Sequence, residues 1–276
     1  MTYLKHIFSV LRWLSLDVVV GGIIFTKAVA LVARVDLHWS ISAALGCCIW
    51  LIYTLDHLID GNSLDKKPST GRHSFHKKYR TPIFLLFLIV SGFGLRLLFY
   101  LPYSTLIYGC VLLGFVGLYF LSIWLFRIYF AKEIFIAVLY SCGIFLGVFS
   151  IGPQLDITIY FLFVQTILLA SINLLLFSYY EISTDIQDGY RSWTTHFGIP
   201  KTLKHLRWLF SFLGVSIIGA FFFSQSFEQM YFQVIFIAMA VTLGLIYAKP
   251  LWFKEKERFR WIGDAIFILP GMIYWF

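Results

Sequence analysis

Runs of about 20 apolar residues, the length an α-helix needs to cross a ~30 Å hydrocarbon layer, recur from one end of this chain to the other. Inside lipid every backbone polar group must be bonded within the protein, so only helices and closed barrels cross it. The strand-like alternation of a barrel is absent, and the runs read as helices. Composition agrees: 60% of the residues are hydrophobic and 13% charged, against about 25% charged in a soluble domain. No second composition interrupts the pattern, so residues 1–276 form one polytopic membrane domain. The first run, from Ile7 to Val32, is longer than the core of a signal peptide and reads as a retained span. Cys47, Cys48, Cys110 and Cys142 lie inside apolar runs without metal-ligand spacing and act as small hydrophobes.

The pattern predicts nine spans, at roughly 12–34, 38–59, 81–101, 104–126, 131–151, 157–181, 205–224, 229–248 and 260–276. Short connections alternate with connections that carry nearly all the charge. Of the 22 basic residues only Lys27, Arg34 and Arg96 fall away from the charged side. The positive-inside rule makes that side cytoplasmic, with the N-terminus inside and the C-terminus outside. The net charge of +8 is therefore a topology signal rather than a nucleic-acid footprint.

Two charged connections begin with acids at helical spacing. The second span ends Tyr53-Thr54-Leu55-Asp56-His57-Leu58-Ile59-Asp60, and the sixth ends with Glu181, Asp185 and Asp188. Asp56 and Asp60 are four apart, as are Glu181 and Asp185, so each pair shares one helix face. Like charges at this spacing repel, and carboxylates at a helix C-terminus oppose its dipole. Divalent cations between the pairs reverse that penalty. Oxygen-only ligands suit Mg2+, which takes one or two carboxylates together with phosphate oxygens and water. Basic residues in the same loops would then hold the phosphates. The alternative is that these acids are solvated at the interface and balance the basic loops.

The acid-rich ends resemble the two signatures of the UbiA superfamily of intramembrane prenyltransferases, an N-D-x-x-D-x-x-x-D run after helix 2 and a D-x-x-x-D run after helix 6. Asp56 and Asp60 match the last two acids of the first signature; Glu181 and Asp185 match the second, with Glu in place of its first Asp. The stretch from Asp185 through Gly189 to Gly198 is similar to the family's continuation, and Lys67-Pro68-Ser69-Thr70-Gly71-Arg72-His73-Ser74 resembles its R-P-x-x-S-G-R-x-S loop. Lys132 is placed like the family's basic residue at the start of span 5. The family's Asn and first Asp fall on Ile52 and Tyr53, and a tyrosine is a poor Mg2+ ligand at neutral pH.

The resemblance implies nine helices around a central cavity, a UbiA-like prenyltransferase fold, and Mg2+-dependent transfer of an isoprenoid chain from a prenyl diphosphate to an aromatic or other lipophilic acceptor. It implies Asp56, Asp60, Glu181, Asp185 and Asp188 as metal ligands and Arg72, Lys132 and Arg191 as substrate-binding residues; Tyr53, which departs from the motif, joins the substrate-binding set through its hydroxyl, which can hydrogen-bond. It also implies a multi-pass protein of the bacterial cell membrane. Two other expectations stand beside it: a non-catalytic relative that binds isoprenoid diphosphates or a protein partner, and a small-molecule transporter. Asp17 and Asp264 read as packing or solvated residues, with a place behind the metal ligands as the alternative; His57 reads as interfacial, and Lys27 and Arg96 as side chains that snorkel to the interface.

Overall fold

A computed structural model describes residues 10–62, 71–126, 132–152 and 155–275, with side chains described except at 59–62, 71–73 and 123–126. Among the described residues there is no strand. The helices are α1 (Leu16–Val32), α2 (Trp39–Asn62), α3 (Gly71–Lys78), α4 (Arg80–Leu97), α5 (Tyr103–Phe126) and α6 (Lys132–Ile151). They continue as α7 (Ile157–Asp188), α8 (Trp193–Phe197), α9 (Ile199–Phe223), α10 (Phe227–Ala248), α11 (Pro250–Lys254) and α12 (Arg258–Ala265). A 3-10 turn, Leu98–Tyr100, extends α4, and a 3-10 segment, Ile266–Trp275, follows α12.

Seven of these helices are long and apolar enough to cross a bilayer: α2, α4, α5, α6, α7, α9 and α10. The first and last of the nine expected spans fall on shorter pieces. α1 has 17 residues, and the last expected span is α12 followed by the 3-10 segment containing Pro270. A proline inside an α-helix removes one intrahelical bond and clashes with the preceding turn, in keeping with the tighter winding around it. The sixth expected span continues past residue 181 to Asp188.

α7 is the spine of the bundle, packed against α6, α8, α9, α10 and α12. The Asp156 carboxylate accepts from the amides of Thr158 and Ile159 at its start, and Gly189, at φ 76°, closes its end. Only glycine adopts that left-handed conformation without a steric cost. Its buried face carries Leu162, Leu169, Ile172, Leu175 and Leu176 into a core shared with Phe25 of α1 and Phe232 and Phe236 of α10. Lipid is as apolar as leucine, so close packing and interhelical hydrogen bonds hold such helices together. Thr26 Oγ1 donates to the Ile144 carbonyl (2.6 Å) and Tyr180 Oη to that of Ile246 (2.6 Å). Gln165 Nε2 donates to the Ser216 carbonyl (3.1 Å). On the outside Phe99, Phe222, Ile89 and Val215 are widely exposed, as side chains that face lipid should be.

α4 packs on α2, and α5 on α6. These four helices make one side of a cavity; α1, α7 and α12 make the other. The C-terminal pieces pack along α1, where Phe267 meets Gly21 and Ile24 meets Gly271. Gly263 of α12 lies where a Cβ would stand 2.8 Å from the Phe177 ring, so this close approach to α7 requires glycine. Lys256 and Glu257, both with φ near +55°, reverse the chain just before α12. Strained backbone of this kind persists where the surroundings fix it, and here it turns Arg260 toward α7.

Candidate functional site

The cavity encloses about 1000 Å³. Its walls are mostly apolar, and its charged residues gather at the end where α2 and α7 finish and α6 begins. Asp56 and Tyr53 come from α2, Lys132 and Glu133 from α6, and Glu181, Asp185 and Asp188 from one face of α7. The loop Gly189–Ser192 crosses the mouth and adds Arg191, while α12 adds Arg260 and Asp264.

Two ion pairs organise this mouth. Lys132 Nζ donates to both oxygens of Asp56, at 3.0 and 3.1 Å. Arg260 donates through Nε and Nη2 to the two oxygens of Glu181. The second pair has the bidentate fork geometry that makes arginine–carboxylate contacts strong and directional. Both pairs are largely shielded: side-chain exposures are 24% and 25% in the first, 15% and 22% in the second. The Arg260 guanidinium also lies 5.2 Å over the Phe177 ring. At the rim Arg12 stacks on Trp261 at 4.4 Å and reaches Glu257 at 3.1 Å.

The loop over the mouth is held from beneath. Glu133, a buried residue in the first turn of α6, accepts the Trp193 amide through Oε1 at 2.7 Å. Ser178 Oγ accepts the Thr194 amide (2.8 Å) and donates to Thr194 Oγ1 (2.9 Å). Ser192 and Thr195 close a capping box at the start of α8. A buried carboxylate at a helix N-terminus meets both unsatisfied amides and the positive end of the helix dipole.

Of the residues singled out from sequence, Asp56, Tyr53, Lys132, Glu181, Asp185, Asp188 and Arg191 all line this one cavity. Asp60 and Arg72 lie outside the described side chains. Among the described residues no three acidic, histidine or cysteine side chains are close enough to enclose a cation by themselves. The donor set nevertheless fits Mg2+: it is carboxylate oxygen only, and Mg2+ completes its shell with phosphate oxygens and water around one or two protein ligands. Tyr53 stands in the field of Asp264, Asp56 and Asp17.

The sequence singled out Arg260 only as one of the basic residues of the charged side, and left Asp17 and Asp264 between packing and a place behind the metal ligands; all three line the cavity. The spacing of Arg260 to Glu181 carries no local signal, because the contact spans 79 positions. His57 also lines the cavity, buried against the ring of His76 at 4.7 Å. Lys27 and Arg96 point away from it and are exposed.

The fold and site define a multi-pass helical membrane protein with an acid-and-base mouth above an apolar cavity. No family model and no curated protein matches its sequence. Solved structures do match. A UbiA homologue from Archaeoglobus fulgidus bound to DMAPP and Mg2+ is 15% identical, with a TM-score of 0.66 over 95% of this chain and 97% of that one. A UbiA homologue from Archaeoglobus fulgidus bound to GPP and Mg2+ is 12% identical, with a TM-score of 0.68 over 96% and 99%. A structure of digeranylgeranylglyceryl phosphate synthase is 14% identical, with a TM-score of 0.60 over 99% and 98%. The chain has the UbiA fold, and the resemblance read from its acid motifs is borne out at that level.

Proposed function

We propose that this chain transfers an isoprenoid chain from its diphosphate to an aromatic or other lipophilic acceptor, with Mg2+ at the mouth of the cavity. One observation carries the reading: carboxylates from two helices and the basic side chains of Lys132, Arg191 and Arg260 converge on one end of an otherwise apolar cavity. A ligand with an anionic head and a hydrocarbon tail matches both halves. The UbiA homologues with the same fold were solved with such ligands and Mg2+.

Asp185 and Asp188, with Asp56, Asp60 and Glu181, would hold Mg2+, which when bound acts as a Lewis acid toward the leaving diphosphate. Lys132 and Arg191 offset the charge that builds on the diphosphate, and Arg72 is assigned the same role. Asp56 fixes the position of Lys132, and Glu181 fixes that of Arg260. Fixed charges in a site shielded from water are worth more than the same charges in solution. The C1–O bond breaks, the diphosphate leaves with the electron pair, and the allylic cation is sheltered by the rings of Phe177, Tyr140 and Phe267. The acceptor then bonds to C1 and releases a proton. The mouth faces the cytoplasm of a bacterial cell in this reading, from the distribution of basic residues.

The test is incubation of the purified protein with labelled prenyl diphosphates and a lipid extract, with and without chelator. A new labelled lipid that forms only with divalent cation is the expected result. A binding protein without turnover is the second reading, favoured by Tyr53 at the place of a metal-binding aspartate and by the pairing of Asp56 and Glu181 with basic partners. It would give cation-dependent protection from heat by a prenyl diphosphate analogue and no product. Transport has less support, since the acids sit at the mouth rather than at the midplane where transporters bind.

A further inference from the structure

Between Asp188 and Glu228 the chain has no acidic residue, yet the stretch carries Arg191, Lys201, Lys204 and Arg207. The last three stand in the opening turns of α9, and all three are exposed. They lie at i, i+3 and i+6, so each is a surface neighbour of the next, and like charges at that spacing repel. Lys201 is also in the first turn, where the positive end of the helix dipole disfavours a cation. No side chain caps that end.

Other cations on the charged side have acidic partners. Lys132 is paired with Asp56, Arg260 with Glu181 and Arg12 with Glu257, while Lys256 and Arg258 both reach Glu255. Among the described residues Lys201, Lys204 and Arg207 form no ion pair. Their mutual repulsion is therefore not offset from within the protein, and an anion beside them would offset it.

The same face of α9 continues into lipid. At about 100° per residue, Lys204, Trp208, Val215 and Phe222 fall within about 40° of one another, with Lys201 and Arg207 about 60° to either side of Lys204. Trp208, Val215 and Phe222 are 57%, 69% and 84% exposed. The opposite face buries Thr202, Leu206, Leu213 and Ile217, and α9 packs on α7 and α10. Lys201 to Arg207 cover about 9 Å of helix axis, comparable with a headgroup layer of about 5–8 Å on each side of the hydrocarbon. Trp208 then lies at the boundary, where indole rings are favoured.

We infer that the start of α9 binds an anionic phospholipid, its phosphate held by Lys201, Lys204 and Arg207 and its acyl chains laid along Trp208, Val215 and Phe222. The lipid, rather than a soluble phosphate, is the occupant because the cations run directly into an apolar stripe that faces hydrocarbon. A basic residue beside an anionic lipid surface contributes about a fivefold preference. Three of them, partly screened by salt, give a preference of about tenfold or more for an anionic over a zwitterionic headgroup. The inference is independent of the prenyl-diphosphate reading.

The experiment is native mass spectrometry of the purified protein in neutral detergent, titrated with phosphatidylglycerol or with phosphatidylcholine of the same acyl chains. The parent should hold the first phosphatidylglycerol about tenfold or more tightly than phosphatidylcholine. Lys201→Gln/Lys204→Gln/Arg207→Gln should lose that preference, and Lys249→Gln/Lys254→Gln/Lys256→Gln, which removes the same charge elsewhere, should keep it. Thermal melts without lipid should place the α9 variant at or above the parent, since repulsion has been relieved; phosphatidylglycerol should then raise the parent's melting temperature more than the variant's. No preference in the parent, or a preference that survives in the α9 variant, overturns the site. Equal loss in both triple variants reduces it to net charge and overturns it as well. So does an α9 variant that melts below the parent without lipid, because the cations would then serve the fold. Displacement of the lipid by an equal concentration of glycerol phosphate would assign the patch to a soluble phosphate and overturn the lipid.

Discussion

Arg260, on the last α-helix, grips the Glu181 carboxylate with two hydrogen bonds across 79 positions of chain. The contact ties α12 to α7 at the mouth of the cavity and leaves neither charge isolated. Removing one member strands the other in a shielded place, a cost of about 1.5–3 kcal/mol for a hydrogen-bonded charge.

Arg260→Gln should therefore lower the melting temperature by several degrees, at about 2–4 °C per kcal/mol for a chain of this size. It should also weaken diphosphate binding. Adding Glu181→Gln should recover part of the lost stability but none of the lost binding, since the orphaned carboxylate is gone while the cation is still missing. Thermal melts of the two single variants and the double variant measure the coupling. Additive effects would mean the pair contributes nothing as a pair.

Asp56→Asn and Asp185→Asn should separate. Asp56 holds Lys132 through both oxygens, so its loss frees that ammonium for the diphosphate. Turnover should fall to background while some Mg2+-dependent binding persists. Asp185 belongs to the fuller acid set on α7, and Asp185→Asn should abolish both Mg2+-dependent prenyl diphosphate binding and turnover, because it removes a proposed metal ligand. Parent-like behaviour of both variants would remove the shared metal–diphosphate site.

Tyr53→Asp puts a further carboxylate in the field of Asp264, Asp56 and Asp17. Like charges in a shielded site destabilise one another. Without divalent cation the variant should melt below the parent. Saturating Mg2+ should raise its melting temperature by more than it raises the parent's, and Mg2+ affinity should rise. An equal response to Mg2+ in both proteins would show that position 53 does not face the cation.

Glu133→Ala removes the acceptor of the Trp193 amide at the start of α8. The cost should be about 1–3 kcal/mol, the penalty for leaving a buried donor unpaired. The loop from Gly189 to Ser192 should loosen with it. Hydrogen exchange should rise in residues 189–198 and stay unchanged in α9, whose start is set instead by Gly198 and Pro200.

The topology has its own test. A membrane-impermeant label applied from the cytoplasm should reach a cysteine placed at Lys254 and should miss one at Glu228, both exposed positions. The reverse pattern would invert the proposed orientation.

Much of the fold was legible in the chain because the membrane acts on sequence locally. A run such as Ile157–Tyr180 has no stable alternative to a helix in hydrocarbon, where each backbone group must bond within the segment. The acid spacing at Asp56 and Asp60, and at Glu181, Asp185 and Asp188, was equally local: a shared helix face follows from periodicity alone. Those residues determined the class of protein, the level at which polar chemistry gathers, and the resemblance that solved structures bear out as a fold. The ends of the chain were less legible. Leu14–Ser15 interrupts the first expected span, where Ser15 adopts a φ of 55°, and Pro270, in the ninth expected span, sits in a 3-10 segment rather than a long α-helix. Packing of these pieces against each other, through Gly21 and Gly271, decides their winding, and no periodicity records it.

Only the tertiary structure decided which charges meet. Lys132 and Asp56 stand 76 positions apart, and Arg260 reaches Glu181 because a left-handed pair at Lys256 and Glu257 turns α12 back toward α7. The cavity arises in the same way, from helices that approach one another at a fixed distance. Local physics determines what each span is. The partners and the enclosed space depend on long-range packing, whose energy belongs to pairs of segments and is written in neither one alone.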